Sequence, residues 1–296
     1  MRIESGYGTL NVPPIKITVA MLKILNEDTI VKYILPHLSK AKRGFVSRSQ
    51  LWQVVNAIFY KFKSGVQWRL LPGGALFDTY QLSWNAVYHH FRKWCRDGSW
   101  RRVWMNLLRD FRHLLCLSTV QLDGTLTRGI RGGQHVGVQS RRKMRCTNTL
   151  WLCDAKGRVV GFATPQAGNH QDVFSIYSLL GAALDEIQQC KIAIEGWFLN
   201  ADATFDCKAL RKLCFQYGIQ LNTPFNKRRW WRKVYRDTDD PFDELMYQDR
   251  KVIEHMNSWM DNYRSFLIRF DTSLLSWKNW HYIFCILFWC KRLIKV

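Results

Sequence analysis

Apolar positions recur along the chain in blocks whose spacing predicts its elements. Between Thr18 and Leu38 they fall at Leu22, Leu25, Ile30, Ile34 and Leu38, which predicts one or two short helices. Ser47 then offers an N-cap for a helix burying Leu51, Val54, Val55, Ile58 and Phe59. After a turn-rich stretch from Ser64 to Gly74, a helix over about 78–95 turns Trp84, Val87, Tyr88, Phe91 and Trp94 inward. Its outer face carries Asn85, His89, Arg92 and Lys93, and Asp97-Gly98 closes it before a further helix over Trp100–Leu115. Helix, tight turn and a basic-faced helix are compatible with a helix-turn-helix module, as they are with any small helical bundle.

Beyond residue 118 the period changes from helix to strand. Thr119–Asp123 reads as a strand, Thr149–Cys153 and Val159–Thr164 as a hairpin, and Asp172–Leu184 as a helix with Asp172 as its cap. Gly196–Ala201 is a strand, Cys207–Tyr217 a helix and Ile219–Thr223 a strand. A long amphipathic helix follows, buried through Val252, Met256, Trp259 or Met260, Tyr263 and Phe266 or Leu267. The run Tyr282–Trp289 is too short to span a bilayer and reads as a core helix. The order βββαβαβ with a long final helix predicts an α/β fold: a mixed five-stranded sheet flanked by helices, preceded by a small all-α part. The expected division is 1–116 and 117–296.

Charge narrows the choice of partner. A net +21, from 44 Lys and Arg against 23 Asp and Glu, calls for a polyanion. Aromatics interleaved with arginine, as in Arg228-Arg229-Trp230-Trp231-Arg232, favour nucleic acid over a membrane surface, although most of the 14 Trp are expected in ordinary core. Arg128, Arg131, Arg141, Arg142, Lys143 and Arg145 form a basic, glycine-rich loop expected to clamp DNA, with Arg92, Lys93, Arg228, Arg229 and Trp230 as further contacts. Nine scattered cysteines without a C-x-x-C fit neither a disulfide framework nor a zinc site, and with no apolar leader at the start they suggest a cytoplasmic protein, here nucleoid-associated.

The candidate chemistry lies in carboxylates. On one helical stripe, Tyr247, Arg250 and Glu254 set a phenol, a guanidinium and a carboxylate toward a cleft. Alone, the Arg–Glu neighbours read as a solvated ion pair. Asp123 and Asp202 each end a predicted strand, where such sheets bind ligands. Singly, Asp123-Gly124 also reads as a turn and Asp202 as a cap; Asp206 competes with Asp202 but is assigned the cap of the next helix. His170 is a candidate DNA contact. Three converging acids repel one another unless divalent ions intervene, and all-oxygen ligation suits Mg²⁺ or Mn²⁺. Two such ions ~3.5–4 Å apart support in-line phosphoryl displacement.

These motifs resemble the bacterial insertion-sequence transposases of the DDE type, in the insertion-sequence four and five group marked by Tyr-x2-Arg-x3-Glu. Tyr247, Arg250 and Glu254 fit that signature, Leu122-Asp123-Gly124-Thr125 the segment of the first acid, and Ala201–Asp206 that of the second. The stretch from Ser47 to Trp100 is similar to the group's helical DNA-binding region. The resemblance implies a ribonuclease-H-like catalytic domain with Asp123, Asp202 and Glu254 as metal ligands. It also implies binding of the element's terminal inverted repeats, metal-dependent endonuclease and strand-transfer activity, and a homodimer on DNA. One departure stands out: the group often has Lys or Arg seven residues after the Glu, where this chain has Asp261, so Arg264 or Lys251 would have to substitute. Two other functions compete, a catalytically impaired DNA-binding protein and a two-metal DNA nuclease unlinked to transposition.

Overall fold

The computed structural model describes residues 22–40, 49–78, 80–226, 242–292 and 294. Ser47 and the segment with Arg228, Arg229 and Trp230 lie outside the described residues. The first helix, α1 (Glu27–Tyr33), is capped by Asn26, whose side chain accepts from the Thr29 amide at 2.8 Å. Helix α2 (Leu51–Ser64) starts at Gln50 rather than Ser47 and stops at Gly65, which adopts the left-handed conformation that ends helices. Ser83 caps α3 (Trp84–Arg96), and α4 (Ser99–Asp110) is shorter than the period suggested, giving way to a 3-10 turn at Arg112–Leu114.

The sheet is built on β1 (Val120–Gly129), β2 (Met144–Asp154) and β3 (Val159–Phe162), each antiparallel to the next. After α5 (Ile176–Gln189) come β4 (Phe198–Asn200), α6 (Lys208–Tyr217) and β5 (Gln220–Asn222). β4 runs parallel to β1, and β5 parallel to β4. The order β3-β2-β1-β4-β5, three strands antiparallel and two parallel, is that of a ribonuclease-H-like sheet. Short strands at Gly137–Gln139, Gln166–Ala167 and Ile268–Arg269 extend it.

Helix α7 (Val252–Asp261) is shorter than the amphipathic pattern predicted. A helical turn (Glu244–Tyr247) and a 3-10 turn (Gln248–Lys251) precede it, and Tyr263 breaks the path before another turn at Arg264–Leu267. The final helix, α8 (Leu274–Arg292), is buried on every side through its middle, as expected for a helix apolar all round. It lies between the helical region and the sheet. Trp280 stacks on Phe91 (ring centroids 4.4 Å) and Phe62 (5.2 Å), and Trp289 meets Trp104 and donates to the Val159 carbonyl at 2.9 Å. One apolar cluster therefore runs from α1 to α8. All nine cysteines are unpaired, and no described helix is long and apolar enough to cross a membrane.

Candidate active site

The site opens where β1 loses its parallel neighbour. On one edge β1 pairs with β4 only at Val120 and Gln121, then with Ile268–Arg269 only at Arg128 and Gly129. Asp123 stands in this gap, in mid-strand rather than at the strand end expected from the sequence. Asp202 lies two residues beyond Asn200, as Asp123 lies two beyond its partner Gln121. Matched register thus brings the acids to one opening.

The segment after β5 is moored over that opening by buried amides. Asn222 donates to Asn200 Oδ1 at 2.8 Å and to the Asp243 carbonyl at 2.9 Å, and Asn200 donates to the Met246 carbonyl at 2.8 Å. Thr119 donates to Asp249 at 3.2 Å and Thr125 to Asn257 at 3.1 Å. Between these anchors Arg250 Nη2 reaches Asp123 Oδ1 at 3.1 Å, while its buried Nε finds no partner. Sequence reasoning missed Asn200 and Asn222; their signal was an Asn ending each of two strands that pair in register.

A third acid enters from the loop before α5. Asp172 does not cap that helix, whose N-cap position is Ser175. Its carboxylate accepts from Asn148 Nδ2 at 2.6 Å and occupies the space a side chain on Gly124 would fill. Gly124 is therefore no strand terminator but the place where a second chain segment closes on β1. Asp206 is not a helix cap either: it accepts from Arg211 at 2.9 Å, and Cys207 caps α6. Asp202 accepts from the Thr204 amide at 2.7 Å, so it caps a 3-10 turn while still facing the site.

The electrostatics express crowding. Burial pushes the Asp123 carboxyl above its usual range, Arg250 and the Gly124 amide oppose, and Asp172 and Asp202 push it further up. Burial also raises Asp172, with Asn148 opposing and Asp202 adding. Tyr247 is raised by burial, against Arg250 and with the charges of Asp202 and Asp123. Asp123, Asp172, Asp202, Arg250 and Tyr247 thus form one neighbourhood.

Glu254 stands at its margin. It is exposed on α7, one turn after Arg250 and one before Asn257, both of which reach β1. Among the described residues no three His, Cys, Asp or Glu side chains are arranged to hold a metal ion. Asp261 lines a cavity of about 100 Å³ with Thr125, Thr127, Trp151 and His281. Arg264 and Lys251 are exposed.

Of the basic residues, Arg128 near the end of β1, Arg145 at the start of β2, and Arg131, Arg141, Arg142 and Lys143 on the connection between them are all exposed. This connection packs its Gly137 against Asn169, so tightly that no side chain fits there, and so abuts the loop carrying Asp172. His170 stacks on Phe174 in that loop, with ring centroids 3.7 Å apart. Arg92 and Lys93 are half-buried. Arg92 donates to the Tyr88 hydroxyl at 3.2 Å, and Lys93 to the Ser39 carbonyl at 2.9 Å, with Asp97 at 3.4 Å.

Residues 28–104, from α1 into α4, match the family model described as "Putative transposase of IS4/5 family (DUF4096)". The likeness to that family rests on this region, well under half of the chain. The match covers the helical part and stops short of every acid in the site. No curated protein matches the chain. Among solved structures it is similar to "Mos1 transposase paired-end complex with left transposon end", at 12% identity over 77% of this chain and 83% of that one, with a TM-score of 0.27. It is also similar to "Crystal structure of the Mos1 Strand Transfer Complex", at 12% identity over 84% and 80% of the two chains, with a TM-score of 0.28. A third is "Crystal structure of a pre-cleavage Mos1 transpososome", at 12% identity over 85% and 80%, with a TM-score of 0.27. Superpositions this loose define neither the fold nor the site.

Proposed function

We propose that this chain is an IS4/5-type transposase that binds the terminal inverted repeats of its own element and, with divalent metal, cleaves their strands and joins the free 3′-hydroxyl ends to target DNA. The observation carrying this reading is the pairing in register that sets Asp123 and Asp202 at one opening, with Arg250 on Asp123. Asp123 and Asp172, raised chiefly by burial, and Asp202 supply oxygen donors of the type a hard cation takes, although among the described residues no three acids are arranged to hold one. Asp123, Asp202 and Glu254 would hold Mg²⁺ or Mn²⁺, Glu254 from the turn that follows Arg250. Two such ions supply activation of an attacking oxygen and stabilisation of a leaving one.

The protein's own groups have separable tasks. Arg250 holds Asp123 in the resting state through Nη2. Tyr247 lies beside Arg250 and fixes its approach. The exposed cations between Arg128 and Arg145 track the phosphate backbone next to the cleft. The helical region 1–116 serves DNA recognition and 117–296 the chemistry, with a dimer engaging two element ends.

Purified protein with Mg²⁺ is expected to release 3′-hydroxyl ends at the inverted repeats, and Asp123→Asn, Asp202→Asn or Glu254→Gln to stop this while DNA binding persists. Full cleavage by any of the three variants would remove that residue from the site. The exposure of Glu254 and the acid at position 261 favour a second reading, a DNA-binding protein that has lost cleavage. Metal-independent binding with no cut at any end would select it.

A further inference from the structure

A protein surface leaves single large apolar side chains exposed without consequence. Beside the cleft the pattern is different, because aromatic rings and lysines share one face. We infer that the outer face of α5 and α6, with the loop carrying Asp172 at its cleft end, is a stacking track for single-stranded DNA. The inference rests on the DNA-processing reading above and names the form of DNA that this face takes.

Three observations carry it. In the loop, His170 and Phe174 stack with ring centroids 3.7 Å apart and planes 6° from parallel, yet Phe174 remains 46% exposed. The histidine props one face of the ring and leaves the rest open to a base. This stack stands at the cleft: Asp172, two residues before Phe174, is held by Asn148 at 2.6 Å and lies against Gly124, the neighbour of Asp123. On the helices, Tyr177 is 38% and Phe215 89% exposed. Lys212 lies over the Tyr177 ring at 5.5 Å and Gln216 accepts from its hydroxyl, so Tyr177 is fixed against the turn of α6 that carries Phe215. Finally, Lys208 and Lys212 are exposed one turn apart on α6. The acid on the neighbouring stretch of α5, Asp185, is two turns beyond Tyr177 and accepts from Tyr217 at 2.5 Å. Rings for bases beside cations for phosphates suit an unpaired strand, whereas a duplex keeps its bases stacked inside and presents no faces to such rings. A second copy of the chain is disfavoured here, since each carries a net +21 and the contact would bring like lysines together.

The test is fluorescence anisotropy of the full-length protein with two labelled probes, an oligo-dT of about twelve nucleotides, within the span of such sites, and a duplex of mixed sequence. Phe174→Ala and Phe215→Ala should each weaken oligo-dT binding by about fivefold or more, with duplex affinity and melting temperature near those of the wild type. Phe174→Tyr, which keeps the ring, should bind as the wild type does. Lys208→Gln combined with Lys212→Gln should reduce the salt slope for oligo-dT by about one. Unchanged oligo-dT affinity in both alanine variants overturns the inference, as does a loss in Phe174→Tyr equal to that in Phe174→Ala. So does sedimentation in which the alanine variants dissociate an oligomer while oligo-dT binding stays the same, which would make this face a contact between copies. If the wild type binds neither probe, the DNA-processing reading falls and this inference with it. If it binds the duplex and not oligo-dT, only the stacking track is lost. Should Phe174→Ala not fold, Phe215→Ala, at a ring almost wholly exposed, decides.

Discussion

Among the places where ionisable groups are wholly or partly buried, two are treated differently. Under α8, Arg269 donates to the Asp271 carbonyl at 2.8 Å, the Gln134 carbonyl at 2.8 Å and Thr147 at 2.5 Å, and its guanidinium lies over Trp277. Lys61 there donates to Ser265 at 3.1 Å and faces Trp280, and Asp271 accepts from the Trp280 indole at 3.1 Å. Charged groups in this seam are hydrogen-bonded to hydroxyl, carbonyl and indole partners, so it joins the helical region to the sheet. At the gap in β1, Arg250 pairs with Asp123 alone, Asp172 and Asp202 add further negative charge, and Arg250 Nε and Asn148 Oδ1 are left unmet. Buried charge that is fully hydrogen-bonded serves the fold. Buried charge left over is free for a ligand.

The largest effect belongs to the gap. Asp123→Asn or Asp202→Asn should lower strand cleavage by more than about a thousandfold, with thermal stability equal to or above the wild type. A loss of stability instead would make the acids structural. In the seam the expected response is reversed: Trp280→Ala should cost about 3–5 kcal/mol in urea denaturation, because Trp280 is fully buried among Phe62, Phe91 and Lys61.

The pH dependence separates the regions by sign. His281, buried against Trp151 and bonded to Thr149 and the Trp277 carbonyl, is lowered from 6.5 to about 3, chiefly by burial. The folded form then binds a proton less readily than the unfolded chain, so stability is complete above pH 6.5 and falls as pH drops toward 3. Asp123 is raised, so its contribution runs the other way and declines as pH rises above 3.8. Denaturation midpoints across this range should flatten in His281→Phe and steepen upward with pH in Asp123→Asn. Parallel shifts in both variants would erase the distinction.

The smallest effect is expected on the surface. Neutralising Arg141, Arg142 and Lys143 together should reduce the salt slope of DNA binding by about two to three, with cleavage chemistry intact. An unchanged slope would turn this connection away from DNA.

By itself the sequence determined the mixed sheet and the helices ahead of it, and suggested the pair Asp123 and Asp202 as candidates, because period and strand order are written locally. It also flagged α8 as core, since no polar face interrupts Tyr282–Trp289. Tertiary structure alone decided that β1 continues past Gly124, because whether a glycine ends a strand or admits a neighbour depends on what approaches it. It also moved Asp172 from helix cap to the acid cluster and Asp206 to Arg211, and broke the long amphipathic helix around Glu254 into separate turns. Short polar side chains near helix starts satisfy several partners equally well in sequence. Only the packing of distant segments determines which partner each one meets.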